Sequence, residues 1–165
     1  MPEPRLHDYL NRNHITFDTI QHARTITAQE TAASAHIHGH ELAKTVMVKL
    51  DDRIAMVVLP ASQRLHFGRL KKATGANTAG LADESEFRDL FPGCEPGAMS
   101  PFGNLYGLDV YVEDSLAEDR TIAFNAGTHT ELVRMPFAEF ERLVNPRRLH
   151  RVHRLGAPDD DMDSH

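Results

Sequence analysis

Three stretches hold residue types whose spacing suits chemistry. The first is Gly97-Ala98-Met99-Ser100-Pro101-Phe102-Gly103. Glycine opens backbone conformations closed to other residues, and proline fixes one dihedral and removes one donor. Such a loop can aim its remaining N–H groups at a carbonyl oxygen or a phosphate; the plain alternative is an ordinary connection between a helix and a strand. The second is Lys44, directly before Thr45-Val46-Met47-Val48. A lysine opening an apolar strand is either a surface residue or a cation set over an anionic or carbonyl group at the mouth of a sheet. The third is His129, after Asn125-Ala126-Gly127-Thr128. There an imidazole is either solvated or placed to orient substrate and exchange a proton near neutral pH.

Other chemistries are weaker. His36, His38 and His40 alternate with Ile37 and Gly39, with Glu41 beside them. Alternating histidines on a strand would chelate a metal, but here they end a helix, where the rings diverge, so no metal is expected. Cys94 is the single cysteine. It can form no internal disulfide, and Glu95 beside it disfavours a thiolate. Ser100 has no recognisable base, and no nucleophile elbow, phosphate loop or dinucleotide fingerprint is present.

These residues need elements to position them. Leu6, Tyr9 and Leu10 predict a first helix ending near Asn13, and 15–20 read as a strand. Thr27-Ala28-Gln29-Glu30 is a capping box opening an alanine-rich helix that stops before Gly39. From Lys44 to Leu50, Val46, Val48 and Leu50 face one way and Thr45, Met47 and Lys49 the other. Asp51-Asp52 turns this strand into 54–59, apolar on both faces and therefore a buried central strand. Leu65, Leu70 and Ala73 predict a helix stopped by Gly75. A second helix starts at Asp83 and buries Phe87, Leu90 and Phe91. Residues 93–107 read as a long shaped loop, and 108–112, 122–124 and 129–135 as strands. Pro136 opens a last helix that buries Phe137, Phe140, Leu143 and Val144 and stops at Asn145-Pro146. Antiparallel hairpins with interspersed helices predict an α+β domain on a mixed sheet or partial barrel.

Composition sets outer bounds. The 165 residues, 41% hydrophobic and 25% charged, suit one soluble domain. A formal charge of −6 excludes a histone-like binder of nucleic acid. Four of the 24 acids, however, are Asp159, Asp160, Asp161 and Asp163, and without them the charge is −2. One domain over 1–154 and a disordered acidic tail over 155–165 are expected. Two basic clusters then stand out. One holds Arg64, His66, Arg69, Lys71 and Lys72; the other holds Arg147, Arg148, His150, Arg151, His153 and Arg154. The first reads as a solvated helix face, and Arg147, Arg148 and Arg151 in the second as contacts to RNA phosphates. No apolar leader or membrane span is read, and the lone cysteine points to the cytoplasm.

Lys44-Thr45 opening a strand, Gly97-x-x-x-Pro101 followed by Phe102-Gly103, and Asn125-Ala126-Gly127-Thr128-His129 occur in that order. The ordered set resembles the YbaK family, the prolyl-tRNA-synthetase-associated or INS-like editing domain, over roughly residues 3–145. The resemblance implies an α+β fold with a mixed, barrel-like central sheet flanked by helices. It implies a trans-acting aminoacyl-tRNA deacylase that removes a wrong amino acid, most often from tRNA-Pro, without a cofactor. Prolyl-tRNA synthetase is then a candidate partner, and no membrane is involved. By position, Lys44 matches the family's essential lysine, and Gly97 and Pro101 the ends of its substrate loop. His129 matches a histidine implicated in some members. Ala98, Met99 and Ser100 fall where relatives line the amino-acid pocket, with Phe102 and Gly103 completing the loop. The alternative is a module of the same fold that binds tRNA or a small ligand without hydrolysis.

Overall fold

The structure, a computed structural model, describes residues 4–22, 41–91, 94, 98–118 and 120–153. The capping box at Thr27, the three histidines His36, His38 and His40, Gly97 and the acidic tail lie outside those residues.

The alternation seen in the sequence folds as expected. β2 (Ala43–Leu50) and β3 (Arg53–Pro60) form an antiparallel hairpin with Leu50 opposite Arg53. Asp51 turns the chain at a φ of 56°, a left-handed conformation that aspartate tolerates better than most residues. Its carboxylate accepts N–H bonds from Asn77 and Thr78, both at 3.0 Å, which fastens the turn to the chain beyond the next helix. β3 is buried from Ala55 to Pro60 because β2 flanks it on one side and β5 (Asp109–Glu113) runs parallel to it on the other. The large sheet has the order β4-β2-β3-β5-β8, with β4 at Ala79–Leu81 and β8 at Arg147–Leu149. A second, antiparallel sheet has the order β1-β7-β6: Asp18–Gln21, Glu131–Pro136 and Thr121–Asn125.

The two sheets meet at one parallel bridge, Leu42 to Ala123, with the Ala123 N–H donating to the Glu41 carbonyl at 3.2 Å. The expected barrel-like sheet is thus two sheets that touch at a seam, and the described residues do not close a barrel. Between the sheets lies the main core. Met47, Met56, Val58, Val110 and Val112 of the large sheet meet Ile122, Phe124, Val133 and Met135 of the small one. α1 (Pro4–Arg12) adds Leu6 and Leu10, and α4 (Phe137–Val144) adds Phe137, Phe140 and Val144. The opposite face of the large sheet carries Val48, Leu50, Val57, Leu59 and Tyr111 under α2 (Phe67–Thr74), which buries Leu70. His66 caps α2 by accepting the Arg69 N–H on Nδ1, and Gly75 ends it at a φ of 77°.

Some elements differ from the sequence reading. The helix from Asp83 makes one turn, α3 (Glu84–Phe87), then tightens to a 3-10 turn over Arg88–Leu90. Phe91 is buried as expected and Phe87 half-buried, but the change of pitch leaves Leu90 exposed. The strand read from His129 starts at Glu131, because Gly127 at a φ of 98° turns the chain and leaves His129 in the turn. Leu143 is half-buried rather than buried.

Candidate functional site

The glycine-proline loop is anchored by its side chains. Ala98, Met99, Ser100, Pro101, Phe102 and Gly103 are all buried. Phe102 stands among Tyr9, Phe124 and Phe140, at centroid distances of 6.1, 5.7 and 5.5 Å. The rings of Tyr9 and Phe140 meet it edge-to-face and that of Phe124 is tilted, packing that fixes ring orientation as well as burying area. Ser100 Oγ accepts the Phe102 N–H at 3.4 Å, which gives the hydroxyl a structural partner within the loop. At Gly103 a Cβ would lie 2.7 Å from Val110 Cγ2 and 3.3 Å from Met56 Sδ, so only glycine fits under the sheet there. Met99 borders a cavity of about 30 Å³ with Phe87, Phe91, Cys94, Glu84 and Arg88. With the side chains turned inward, the loop has mainly its backbone to offer a ligand.

The loop and the His129 turn are brought together. The Gly127 N–H donates to the Ala98 carbonyl at 2.8 Å. The turn is held in addition by the Ala126 N–H to the Glu131 carbonyl at 3.3 Å and by the His22 N–H to the Thr130 carbonyl at 2.9 Å. His129 is half-buried in that turn. Asn125 closes β6, and its Oδ1 is buried without a hydrogen-bond partner among the described residues. A buried acceptor left this way costs free energy unless a ligand or water supplies a donor. Asn125 reads from the sequence only as part of a turn; the burial of its Oδ1 is a tertiary property.

Lys44 enters from the seam. The bridge aligns Leu42 with Ala123, and because it is parallel, both strands leave it in the same direction, toward Lys44 and Asn125. Lys44 stands opposite Leu59, on the face of Val46, Val48 and Leu50, and is half-buried. Burial holds its ammonium below the usual lysine range, and the Arg64 guanidinium lowers it further. Arg64 lies in the connection between β3 and α2, not on the helix that carries Arg69, Lys71 and Lys72. Ala43, next to Lys44, belongs to the same core as Met99, Phe102 and Ala126.

The C-terminal arginines separate. Arg147 stands opposite Tyr111 and stacks over its ring at 5.6 Å. Arg148 faces the other way and holds Glu141 with two bonds of 2.6 and 2.9 Å. That pairing raises the Arg148 pKa and keeps the Glu141 carboxyl below its usual range. Arg151 is exposed at a φ of 54°. The segment they belong to is fastened by Glu113, almost fully buried at the end of β5. Its Oε2 accepts the Val152 N–H at 3.0 Å and lies 3.0 Å from His153 Nδ1. The described residues contain no group of three histidine, cysteine or acidic side chains able to hold a metal. None of their helices is long and apolar enough to cross a membrane.

This architecture recurs in solved structures. The hypothetical protein APE2540 matches with a TM-score of 0.79 and 20% identity, over 90% of this chain and 99% of that one. A candidate trans-editing enzyme for prolyl tRNA synthetase matches with a TM-score of 0.77 and 20% identity, over 93% and 96%. The fold is therefore the α+β fold of editing domains. The aminoacyl-tRNA editing domain family matches residues 22–143, and the chain belongs to that family. Among curated proteins, the proline--tRNA ligase of Bacillus cytotoxicus is 26% identical over 89 residues, 54% of this chain and 16% of the ligase. That of Macrococcus caseolyticus is 24% identical over 119 residues, 70% of this chain and 21% of the ligase. The chain spans about a fifth or less of the length of these relatives.

Proposed function

We propose that this chain hydrolyses, in trans, the ester that joins a wrong amino acid to the terminal adenosine of a tRNA, with tRNA-Pro the first substrate to test. The observation that carries the reading is the bond from the Gly127 N–H to the Ala98 carbonyl. It couples the glycine-proline loop to the His129 turn within an editing-domain fold.

An aminoacyl ester is already activated, so no enzymic nucleophile is required. Water attacks the ester carbonyl carbon, and the carbonyl oxygen takes up the charge. The bond from that carbon to the ribose oxygen then breaks. The ribose oxygen gains a proton, and the amino acid leaves as its acid. Backbone N–H groups of the loop from Gly97 to Gly103 stabilise the developing oxyanion. The Lys44 ammonium holds the carbonyl or a nearby phosphate oxygen, with Arg64 adding positive charge beside it. His129 orients substrate or water, and a hydroxyl or amine of the substrate receives the water proton. Ala98, Met99 and Ser100, with Pro101 and Phe102, bind substrate through the loop backbone that their buried side chains hold in place. Arg147 and the exposed Arg151 contact the RNA, while Arg148 stays with Glu141 on the other face of the strand. Such a second sieve removes amino acids that a synthetase pocket separates poorly. It acts in the cytoplasm beside prolyl-tRNA synthetase and needs no cofactor.

The test is a panel of Ala-, Ser-, Thr- and Cys-charged tRNA-Pro, with ester loss followed over time. Turnover that disappears in Lys44→Ala is the expected result. Binding without turnover on a broader panel of charged tRNAs would replace this reading with that of a binding module.

A further inference from the structure

The first basic cluster and, about eighty residues further on, Arg147 of the second lie on one side of the large sheet. Three observations place them there. The His66 N–H donates to the Val152 carbonyl at 2.7 Å, and Leu65 bridges to His153, so the connection carrying Arg64 is bound to the C-terminal segment. Arg147 shares the face of Tyr111 and Val57, the face that α2 covers. Arg147 also lines a cavity of about 230 Å³ with Thr74, Gly75 and Ala76 at the end of α2, and with Arg53.

A row of cations follows. It starts at Lys44 and Arg64, which are close enough for the charge of one to act on the other. It continues along α2, whose eight residues, Phe67–Thr74, contain Arg69, Lys71 and Lys72 and no acid. It ends at Arg147. Lys71 and Lys72 are exposed, and neither they nor Arg147 forms an ion pair among the described residues. Two acids, Asp51 and Asp109, share the cavity with Arg147; Asp51 accepts the Asn77 and Thr78 N–H groups, and Asp109 pairs with Arg53 at 3.0 Å. Eight helical residues extend about 12 Å, long enough to pass more than one phosphate of a nucleic-acid strand.

We propose that the α2 face is the docking surface for the double-stranded acceptor stem of the tRNA whose 3′ end enters at Lys44. Arg64 serves the terminal nucleotides; Lys71, Lys72 and Arg147 contact backbone phosphates of the stem. This rests on the editing reading and adds to it the path of the helical RNA. A partner gripped through phosphates needs a local row of cations, which reconciles RNA binding with a chain of net charge −6.

The experiment measures binding of an uncharged acceptor-stem minihelix, and separately of its single-stranded ACCA end, at several salt concentrations. The proteins are the full chain, Lys71→Glu/Lys72→Glu, Arg147→Gln, and Arg142→Ala. Arg142 pairs with Glu139 on α4, away from the α2 face. The charge reversal is expected to weaken minihelix binding at least about tenfold, and each lost phosphate contact to reduce the salt slope by about 0.7 to 0.9. Binding of the single-stranded end stays unchanged, as does everything in Arg142→Ala. Hydrolysis of a short aminoacyl-adenosine ester by the same variants separates the two ideas. If that hydrolysis persists while minihelix affinity and slope match the unaltered protein, the docking surface is wrong and the editing reading stands. A minihelix that does not bind the unaltered protein also overturns the docking surface.

Discussion

Gly103→Ala offers a quantitative test of how the loop is seated. The added Cβ would lie 2.7 Å from Val110 Cγ2 and 3.3 Å from Met56 Sδ. Methionine yields readily, but Val110 is β-branched, nearly fully buried and fixed in β5 between β3 and β8. The backbone at Gly103 is also pinned, since its carbonyl accepts the Leu108 N–H at 3.0 Å. Overpacking a core by one methyl group costs about 1–3 kcal/mol. Loss of glycine's freedom in the unfolded chain returns about 0.4–1 kcal/mol. The net is a destabilisation of about 1.5 kcal/mol, which in a domain of this size lowers Tm by about 3–6 °C. Thermal unfolding followed by circular dichroism reads this directly. Val110→Ala supplies the control, because it removes the methyl group that collides. Alone it destabilises by leaving a cavity; combined with Gly103→Ala it should recover about 1 kcal/mol relative to the sum of the two. Strict additivity, or a Tm unchanged in Gly103→Ala, would show that the loop is not held against β5 as described.

Four further expectations follow from the packing and the charges. Because burial and Arg64 both lower the Lys44 pKa, Arg64→Gln should raise it and move the alkaline limb of the kcat/KM profile to higher pH; a limb that stays in place removes Arg64 from the neighbourhood. The same shift means that the unfolded state binds the proton more tightly, so stability rises with pH from the lowered pKa toward 10.5. Denaturant midpoints across that range should lose the rise in Lys44→Gln. Phe102→Ala, at a fully buried ring between three others, should cost about 3–5 kcal/mol and Phe102→Leu much less; equal Tm values for the two would argue against the aromatic seat. Glu113→Gln leaves donors facing a side chain with weaker acceptor capacity, so about 1–3 kcal/mol is lost, with faster hydrogen exchange at the Val152 amide. Unchanged exchange there would mean that Glu113 does not hold the segment.

The parts of the fold that the sequence made legible are those whose pattern is local. The β2–β3 hairpin shows in the alternation from Lys44 to Leu50, and α2 is marked by Leu70 and the Gly75 stop. The glycine-proline loop and the Asn125–His129 turn could be singled out by residue type alone. Short strands were not visible, because Ala79–Leu81 and Arg147–Leu149 become strands by pairing with β2 and β5. In Arg147-Arg148-Leu149 only the leucine is buried, so nothing in the residues themselves announces a sheet. Leu90 was placed inside because a regular helix would have carried it there; the tightening into a 3-10 turn changes its direction. The proximity of Arg64 to Lys44 and the unpartnered Asn125 Oδ1 depend on chain segments far apart, and no spacing rule reaches them.

The position of β8 also fixes what must be present for this fold to stand. The match to the family model ends at residue 143, yet Leu149 and Val152 complete the second core, and the Val152 amide donates to the Glu113 carboxylate. A chain cut after Asn145 would keep every residue by which the family is recognised. It would also open one edge of β5, bare the outer side of Tyr111, and take the Val152 and His153 partners from the Glu113 carboxylate. The three-residue strand and the short segment after it therefore belong to the second core although the family match stops before them.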